Sequence, residues 1–266
     1  MLTLTSVAHF LAAALGVQAT AQPFCPRSTL PAYAHNDYEN PRPLRDAVRL
    51  GFSGVEADVF LVDGVLRVGH DRRQARRRET LEALYLTPLR EIISRCGRLT
   101  PDSRRFLLAV EIKESSRATF EALVTLLGRY PELFAPASSS EAPIELILVG
   151  WHPPLPTLRQ SERAPFRVQR RISGRSAVAA VDDEVRLLSV DYGKTIGRRW
   201  NRATDRRHWI ASLRATKRAY PDRLLRVHNL PADSTIYAAL LDAGVDLIGT
   251  KDLVKSRQLL HGREMQ

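Results

Sequence analysis

The sequence predicts a (β/α)8 barrel built as a single domain, and three observations predict it. Short apolar runs alternate with segments of helical spacing along most of the 266 residues, as parallel βαβ units require. Roughly eight such runs in about 240 residues match the size of an eight-stranded barrel. No GxGxxG or P-loop follows the first strand, so the alternative, a doubly wound open sheet, lacks its usual nucleotide-site signature. With 44% hydrophobic and 26% charged residues, the composition excludes wholesale disorder.

The elements follow in order. Tyr33-Ala34 reads as a short strand ending at His35, and Pro43 to Leu50 as a helix with Gly51 as its stop. Ser53 to Leu61 is a strand, and Val65 to Val68 a second one after the turn Asp63-Gly64. Leu81, Leu84, Leu89, Ile92 and Ile93 carry helical spacing over Thr80 to Arg95, with a break or kink at Pro88. Phe106 to Ile112 is a strand, Arg117 to Tyr130 an amphipathic helix, and Ile144 to Val149 the next strand. Phe166 to Gln169 is a weak strand signal inside a zone, Pro153 to Val185, of poor helical pattern. Leu187 to Val190 and Leu224 to Val227 are strands ending at Asp191 and at His228-Asn229, with a helix over Asp205 to Tyr220 between them. A helix over Ser234 to Ala243 and a last strand, Val245 to Ile248, complete the series.

Residues 1–21 contain no Asp, Glu, Lys or Arg, and Val7 to Val17 is mostly apolar. With Ala19-Thr20-Ala21 as a small-x-small cleavage pattern, they read as a signal peptide, leaving residues 22–266 as the barrel domain in a secreted or periplasmic setting. No later run is long enough to cross a bilayer. Cys25 and Cys96 then form either a disulfide or two free thiols, since spacing alone does not bring them together. Forty basic against 29 acidic residues give a net charge of +11. That points to anionic partners, such as phosphate esters, anionic lipid or nucleic acid.

The chemistry sits at strand ends. Glu56 and Asp58 stand two apart in Gly-Val-Glu-Ala-Asp-Val, so both face one side of a strand. Glu111 and Lys113 repeat this in Ala-Val-Glu-Ile-Lys. Three carboxylates form an oxygen-rich site suited to Mg²⁺ or Ca²⁺, and Lys113 suits a phosphate oxygen. His35 and His70 follow short strands and, flanking a metal, could serve as general base and general acid. Either carboxylate pair alone also fits a solvated strand end.

Together, Ala34-His35-Asn36-Asp37, Val55-Glu56-Ala57-Asp58-Val59, Gly69-His70-Asp71 and Val110-Glu111-Ile112-Lys113 resemble the markers of glycerophosphodiester phosphodiesterase-like proteins. These belong to the phosphatidylinositol-phospholipase-C-like TIM-barrel phosphodiesterases. The resemblance covers residues 34–113, with Val245 to Thr250 similar to the last-strand segment. It implies that His35 and His70 are the acid/base pair, that Glu56, Asp58 and Glu111 hold one divalent cation, and that Lys113 binds phosphate. The His-Arg-Gly usual after the first strand is His35-Asn36-Asp37 here. Asn36, placed at the substrate, offers only a neutral hydrogen bond where the family has a cation. The chain thus looks like a divergent branch.

The expected activity is metal-assisted cleavage of a glycerophosphodiester or phospholipid headgroup, by water or by an internal hydroxyl that gives a cyclic phosphate. The alternatives are a non-catalytic headgroup-binding barrel and, more remotely, a basic nucleic-acid-binding protein. The latter lacks zinc-finger, RNP or helix-turn-helix signatures. Asp191, Lys194, His228, Asn229, Lys251 and Trp151 fall where loops could line a pocket, although capping or solvation is the ordinary role of such residues. Arg72, Arg73, Arg76, Arg77 and Arg78 follow His70. They read either as a solvated loop face or as a patch that draws peripheral contact with an anionic membrane.

Overall fold

A computed structural model describes residues 25–26, 29–102, 105–134, 142–159, 166–174 and 180–264. The expected signal peptide and most of the Ala135 to Ala142 loop lie outside the described residues. Nine strands are formed: β1 (Leu30–Ala34), β2 (Phe52–Val62), β3 (Val65–Val68), β4 (Phe106–Ile112), β5 (Ile144–Gly150), β6 (Arg167–Arg171), β7 (Val185–Asp191), β8 (Leu224–His228) and β9 (Leu247–Thr250). Eight of them pair in parallel, and β1 bonds to both β2 and β9, which closes the barrel. The exception is β3, which pairs antiparallel with β2 through the Asp63-Gly64 turn and lies outside the ring. It therefore adds no barrel strand, but it carries the chain back to place His70 beside Asp58 of β2.

Burial divides the apolar residues by strand parity. Tyr33, Leu107, Ala109, Ile147, Val149, Leu187 and Leu247 cluster inside the barrel. The alternate positions, such as Val55, Ala57, Leu108, Val110, Leu146, Leu148 and Val227, join the larger core against the helices. Strands buried on both faces read as near-continuous apolar runs, so a polar residue at an inward position stands out. Two glycines make room for the interior. Tyr33 is paired with Gly54 on one side and Gly249 on the other. A Cβ at Gly54 would lie 2.6 Å from Leu107 Cβ, and one at Gly249 2.7 Å from His228 Cβ. Neither position accepts a side chain without moving a strand.

Several elements depart from expectation. The segment expected to kink at Pro88 is a π-helical turn, Glu82–Leu86, followed by an α-helix, Thr87–Cys96, with Pro88 in its first turn. The missing N–H of proline is harmless there. The weak zone yields β6 over Arg167–Arg171, beginning one residue and ending two residues later than the pattern suggests. The helix Leu253–Glu264 was not anticipated at all. No helix among the described residues is long and apolar enough to cross a membrane.

Cys25 and Cys96 form a disulfide across 71 residues of sequence. It ties the segment before β1 to the end of the Thr87–Cys96 helix, which resolves the two readings of the thiols. Cross-linking so long a loop restricts the unfolded chain. Cys96→Ser is expected to lower stability by about 2–4 kcal/mol, read as a lower urea midpoint. Adding reductant to the unsubstituted protein should reproduce the loss.

Candidate active site at the mouth of the barrel

Inward positions in the middle of β2, where it runs beside the carboxyl end of β4, carry the acids. Asp58 is in register with Glu111 and Glu56 with Ala109, whose small side chain leaves space beside the Glu56 carboxylate. Glu56, Asp58 and Glu111 can each offer one oxygen to a set lying within 4.8 Å of one another. Asp58 is fully buried. Its Oδ2 accepts from Tyr38 Oη at 2.8 Å, and Lys113 Nζ lies 3.3 Å away. Its Oδ1 is buried with no partner among the described residues. Lys113 Nζ also stands 3.6 Å from Glu111 Oε1. An all-oxygen donor set containing an orphaned buried carboxylate oxygen fits a hard divalent cation.

Glu56 is held differently. Its Oε2 accepts from Arg226 Nη1 at 2.6 Å and from Tyr33 Oη at 3.1 Å, while His35 Nε2 lies 3.5 Å from Oε1. Burial alone would raise its pKa, but Arg226 and then His35 outweigh burial and hold it at about 2. Asp58 goes the other way, raised by burial and by repulsion from Glu56, against which Lys113 and Tyr38 only partly compensate. Glu111 is likewise raised, by burial and then by Asp58. One carboxylate is thus charged and paired, and two are frustrated. A bound cation would remove that frustration.

The histidines flank this cluster. His35 follows β1, with its backbone N–H bonded to the Thr250 carbonyl of β9 at 2.9 Å. Burial lowers its pKa; Glu56 opposes the shift and Arg226 adds to it. His70 stands on the other side, Nδ1 3.4 Å from Asp58 Oδ2, with its side chain 56% exposed. The structure therefore brings together all of His35, His70, Glu56, Asp58, Glu111 and Lys113. Asn36 is different. It is buried in the left-handed region at φ 51°, and its amide donates to Glu39 Oε1 at 3.3 Å. Here it builds the turn after His35.

Sequence reasoning missed Arg226, Tyr33, Tyr38 and Arg171. Arg226 and His228 stand two apart at the end of β8, the same spacing that singled out Glu56 and Asp58, so a parity test would have found Arg226. Arg171, at the end of β6, places Nη2 3.8 Å from Glu111 Oε1 and is 68% exposed. Among the pocket-lining candidates, Asp191 caps the turn Tyr192–Thr195 and accepts from Asn229. Lys251 pairs with Glu39. Trp151 borders a groove of about 420 Å³ beside Phe120 and Val124. Arg72 pairs with Glu114, and Arg78 packs its guanidinium over the Tyr38 ring. Arg73, Arg76 and Arg77 are exposed.

Residues 27–132 match the AIM6-like phosphodiesterase domain. Over 78 residues the chain is 32% identical to the altered inheritance of mitochondria protein 6 homolog of Arthroderma benhamiae, covering 27% of this chain and 25% of that protein. It is 38% identical over 78 residues to altered inheritance of mitochondria protein 6 of Saccharomyces cerevisiae, covering 29% of this chain and 20% of that one. The matched stretch is thus a quarter or less of these relatives' length. A glycerophosphodiester phosphodiesterase from Parabacteroides distasonis shares the fold, with a TM-score of 0.55 at 18% identity over 90% of this chain and 99% of that one.

Two outcomes follow from the site's charges. Arg226→Ala leaves Glu56 buried without its partner and should cost about 3–5 kcal/mol, measured by urea unfolding. In the unsubstituted protein, Glu56 ionises more readily folded than unfolded. Its contribution is full above pH 4.5 and is lost as pH falls towards about 2, which Arg226→Ala should abolish. Asp58 and Glu111, with raised values, instead destabilise the cation-free fold as pH rises through their titration. Adding Mg²⁺ or Ca²⁺ at neutral pH should therefore raise Tm in a concentration-dependent way, and Glu111→Gln should remove most of that response.

Proposed function

We propose that this chain is a phosphodiesterase whose substrate is a glycerophosphodiester or a phospholipid headgroup, cleaved at the barrel mouth with one divalent cation. The observation that carries the reading is the orphaned Asp58 Oδ1 inside a three-carboxylate cluster flanked by two histidines. The AIM6-like phosphodiesterase match over residues 27–132 spans all of these residues. Glu56, Asp58 and Glu111 would hold the cation, Mg²⁺ or Ca²⁺, which when bound polarises a phosphoryl oxygen and offsets developing charge.

The chain's own residues do the rest. Asp58 beside His70 Nδ1 and Glu56 beside His35 Nε2 favour a proton on those atoms. This leaves Nε2 of His70 and Nδ1 of His35 as the atoms that exchange protons with substrate. One accepts the proton of the attacking hydroxyl and the other delivers a proton to the departing alcohol. Lys113 meets a non-bridging oxygen. Arg171 brings to the rim the guanidinium that Asn36 does not supply, and Asn36 shapes the turn that presents His35. The disulfide and the N-terminal processing pattern fit a secreted or periplasmic setting. Exposed Arg73, Arg76 and Arg77 beyond His70 suit peripheral contact with an anionic membrane.

Phosphorus NMR tests this reading with glycerophosphocholine, glycerophosphoinositol, lysophosphatidylcholine and phosphatidylinositol, each with Mg²⁺, Ca²⁺ or EDTA. Cation-dependent loss of one diester signal is expected, and the product, cyclic or monoester, identifies the nucleophile. Glu56→Gln should abolish turnover, and His70→Gln should lower kcat by about 10²–10⁴-fold. Turnover that survives EDTA would exclude the cation mechanism. Headgroup binding without any turnover would favour the binding-only barrel.

A further inference from the structure

His228 stands at the end of β8, beside His35, and no role in the reaction described above requires it. The two rings meet edge to face with centroids 5.3 Å apart. Below His228 lies a short chain of polar contacts. Arg226 Nε is 3.2 Å from Ser189 Oγ, and Ser189 Oγ is 3.2 Å from His228 Nδ1. Arg226 is itself fixed on both sides, by Glu56 at 2.6 Å and by Gln169 Oε1 at 2.7 Å, with its guanidinium over the Tyr33 ring.

One assignment of protons in this chain leaves no buried donor without an acceptor. A guanidinium N–H only donates, so Ser189 Oγ accepts from Arg226. Ser189 is buried, and its remaining contact among the described residues is His228. Accepting from His228 as well would leave the buried Ser189 hydroxyl proton with no acceptor among the described residues, so the arrangement that satisfies both groups sends that proton to His228 Nδ1, which presents a lone pair. A neutral imidazole with Nδ1 as acceptor carries its proton on Nε2. Nε2 has no hydrogen-bond partner among the described residues, yet it is not sealed from solvent as the orphaned Asp58 Oδ1 is. The ring next to His35 therefore carries an N–H that no described residue satisfies.

We propose that His228 is a substrate-contacting residue, a neutral Nε2–H donor to an oxygen of the phosphodiester, and that Arg226 acts through Ser189 as the positioning residue that fixes its tautomer. The proposal rests on the phosphodiesterase reading for the identity of the oxygen, but not for the tautomer. The groups facing His228 favour a neutral ring. Arg226 lies on its own strand, His35 follows β1, and Glu56 and Asp191 come from β2 and β7. Burial, then Arg226 and His35, push its pKa down to about 3, against the opposing pull of Glu56 and Asp191. Such a donor, aimed where negative charge develops and unable to switch off in the working pH range, acts as an oxyanion-type stabiliser.

The test combines imidazole NMR with kinetics. In ¹⁵N-histidine-labelled protein, His228 (identified by the signals lost in His228→Gln) should show a protonated Nε2 and an unprotonated Nδ1 from about pH 5 to 8. Ser189→Ala, which leaves the strand intact, should remove this single-tautomer signature. His228→Phe should lower kcat by about 10²-fold or more, with the Mg²⁺-induced rise in Tm retained. His228→Gln keeps a neutral N–H and should recover most of the rate. An Nδ1–H tautomer, a ring that protonates in this range, or equal losses in the Gln and Phe variants would overturn the proposal. Should no diester be turned over, the phosphodiesterase reading fails separately. Inorganic phosphate with Mg²⁺ then decides the contact, since a shift of the His228 Nε2–H signal supports it and an unmoved signal refutes it.

Discussion

The buried pair between Glu56 and Arg226 is the constraint on which the rest of the site depends. Both side chains lie inside the barrel at 2% exposure, with Nη1 2.6 Å from Oε2. Neither charge is tolerable there alone. Together they tie β2 to β8 across the barrel and leave a single oxygen of Glu56 facing the mouth. Tyr33, seated between Gly54 and Gly249, closes the arrangement by donating to the same oxygen that Arg226 binds. The packed barrel interior below gives way to a polar layer here, at the level where parallel barrels carry their sites.

Above that pair the charges no longer balance within the protein. Lys113 is shared between Asp58 and Glu111, Asp58 Oδ1 has no partner among the described residues, and both acids are pushed towards their neutral forms. The fold thus places one satisfied carboxylate beneath two unsatisfied ones. That asymmetry is what a cation site requires, because a fully paired cluster would have no oxygen to offer. The histidines then differ by environment. His35 and His228 are enclosed, and burial biases both rings towards the neutral form, while His70 stands exposed against Asp58.

Much of this was legible before the structure. Apart from β6, whose sequence is mostly Arg and Gln, the barrel strands appear as apolar runs, because strands covered on both faces select Val, Ile and Leu. Glu56, Asp58 and Glu111 interrupt those runs at inward parity, and they are the acids that cluster. Three things were less legible. β3 has the composition of a barrel strand, and only its antiparallel pairing removes it from the ring. The left-handed backbone of Asn36 and its bond to Glu39 are consequences of the turn after His35, which no local pattern announces. Arg226 was passed over because an arginine in a basic chain attracts no notice until its strand position is asked to face inward.

The sequence by itself determined the order of the barrel strands, the parity of their inward residues and the chemical types available at the mouth, because these follow from local periodicity and strand position. The tertiary structure alone decided which of them meet. Glu56 and Arg226 are 170 residues apart, and Cys25 and Cys96 are separated by 71. Such contacts depend on barrel closure and on strand register across the ring, which no local pattern encodes. The same closure sets Ser189 between Arg226 and His228, and so turns three unremarkable strand residues into one directed hydrogen-bond chain.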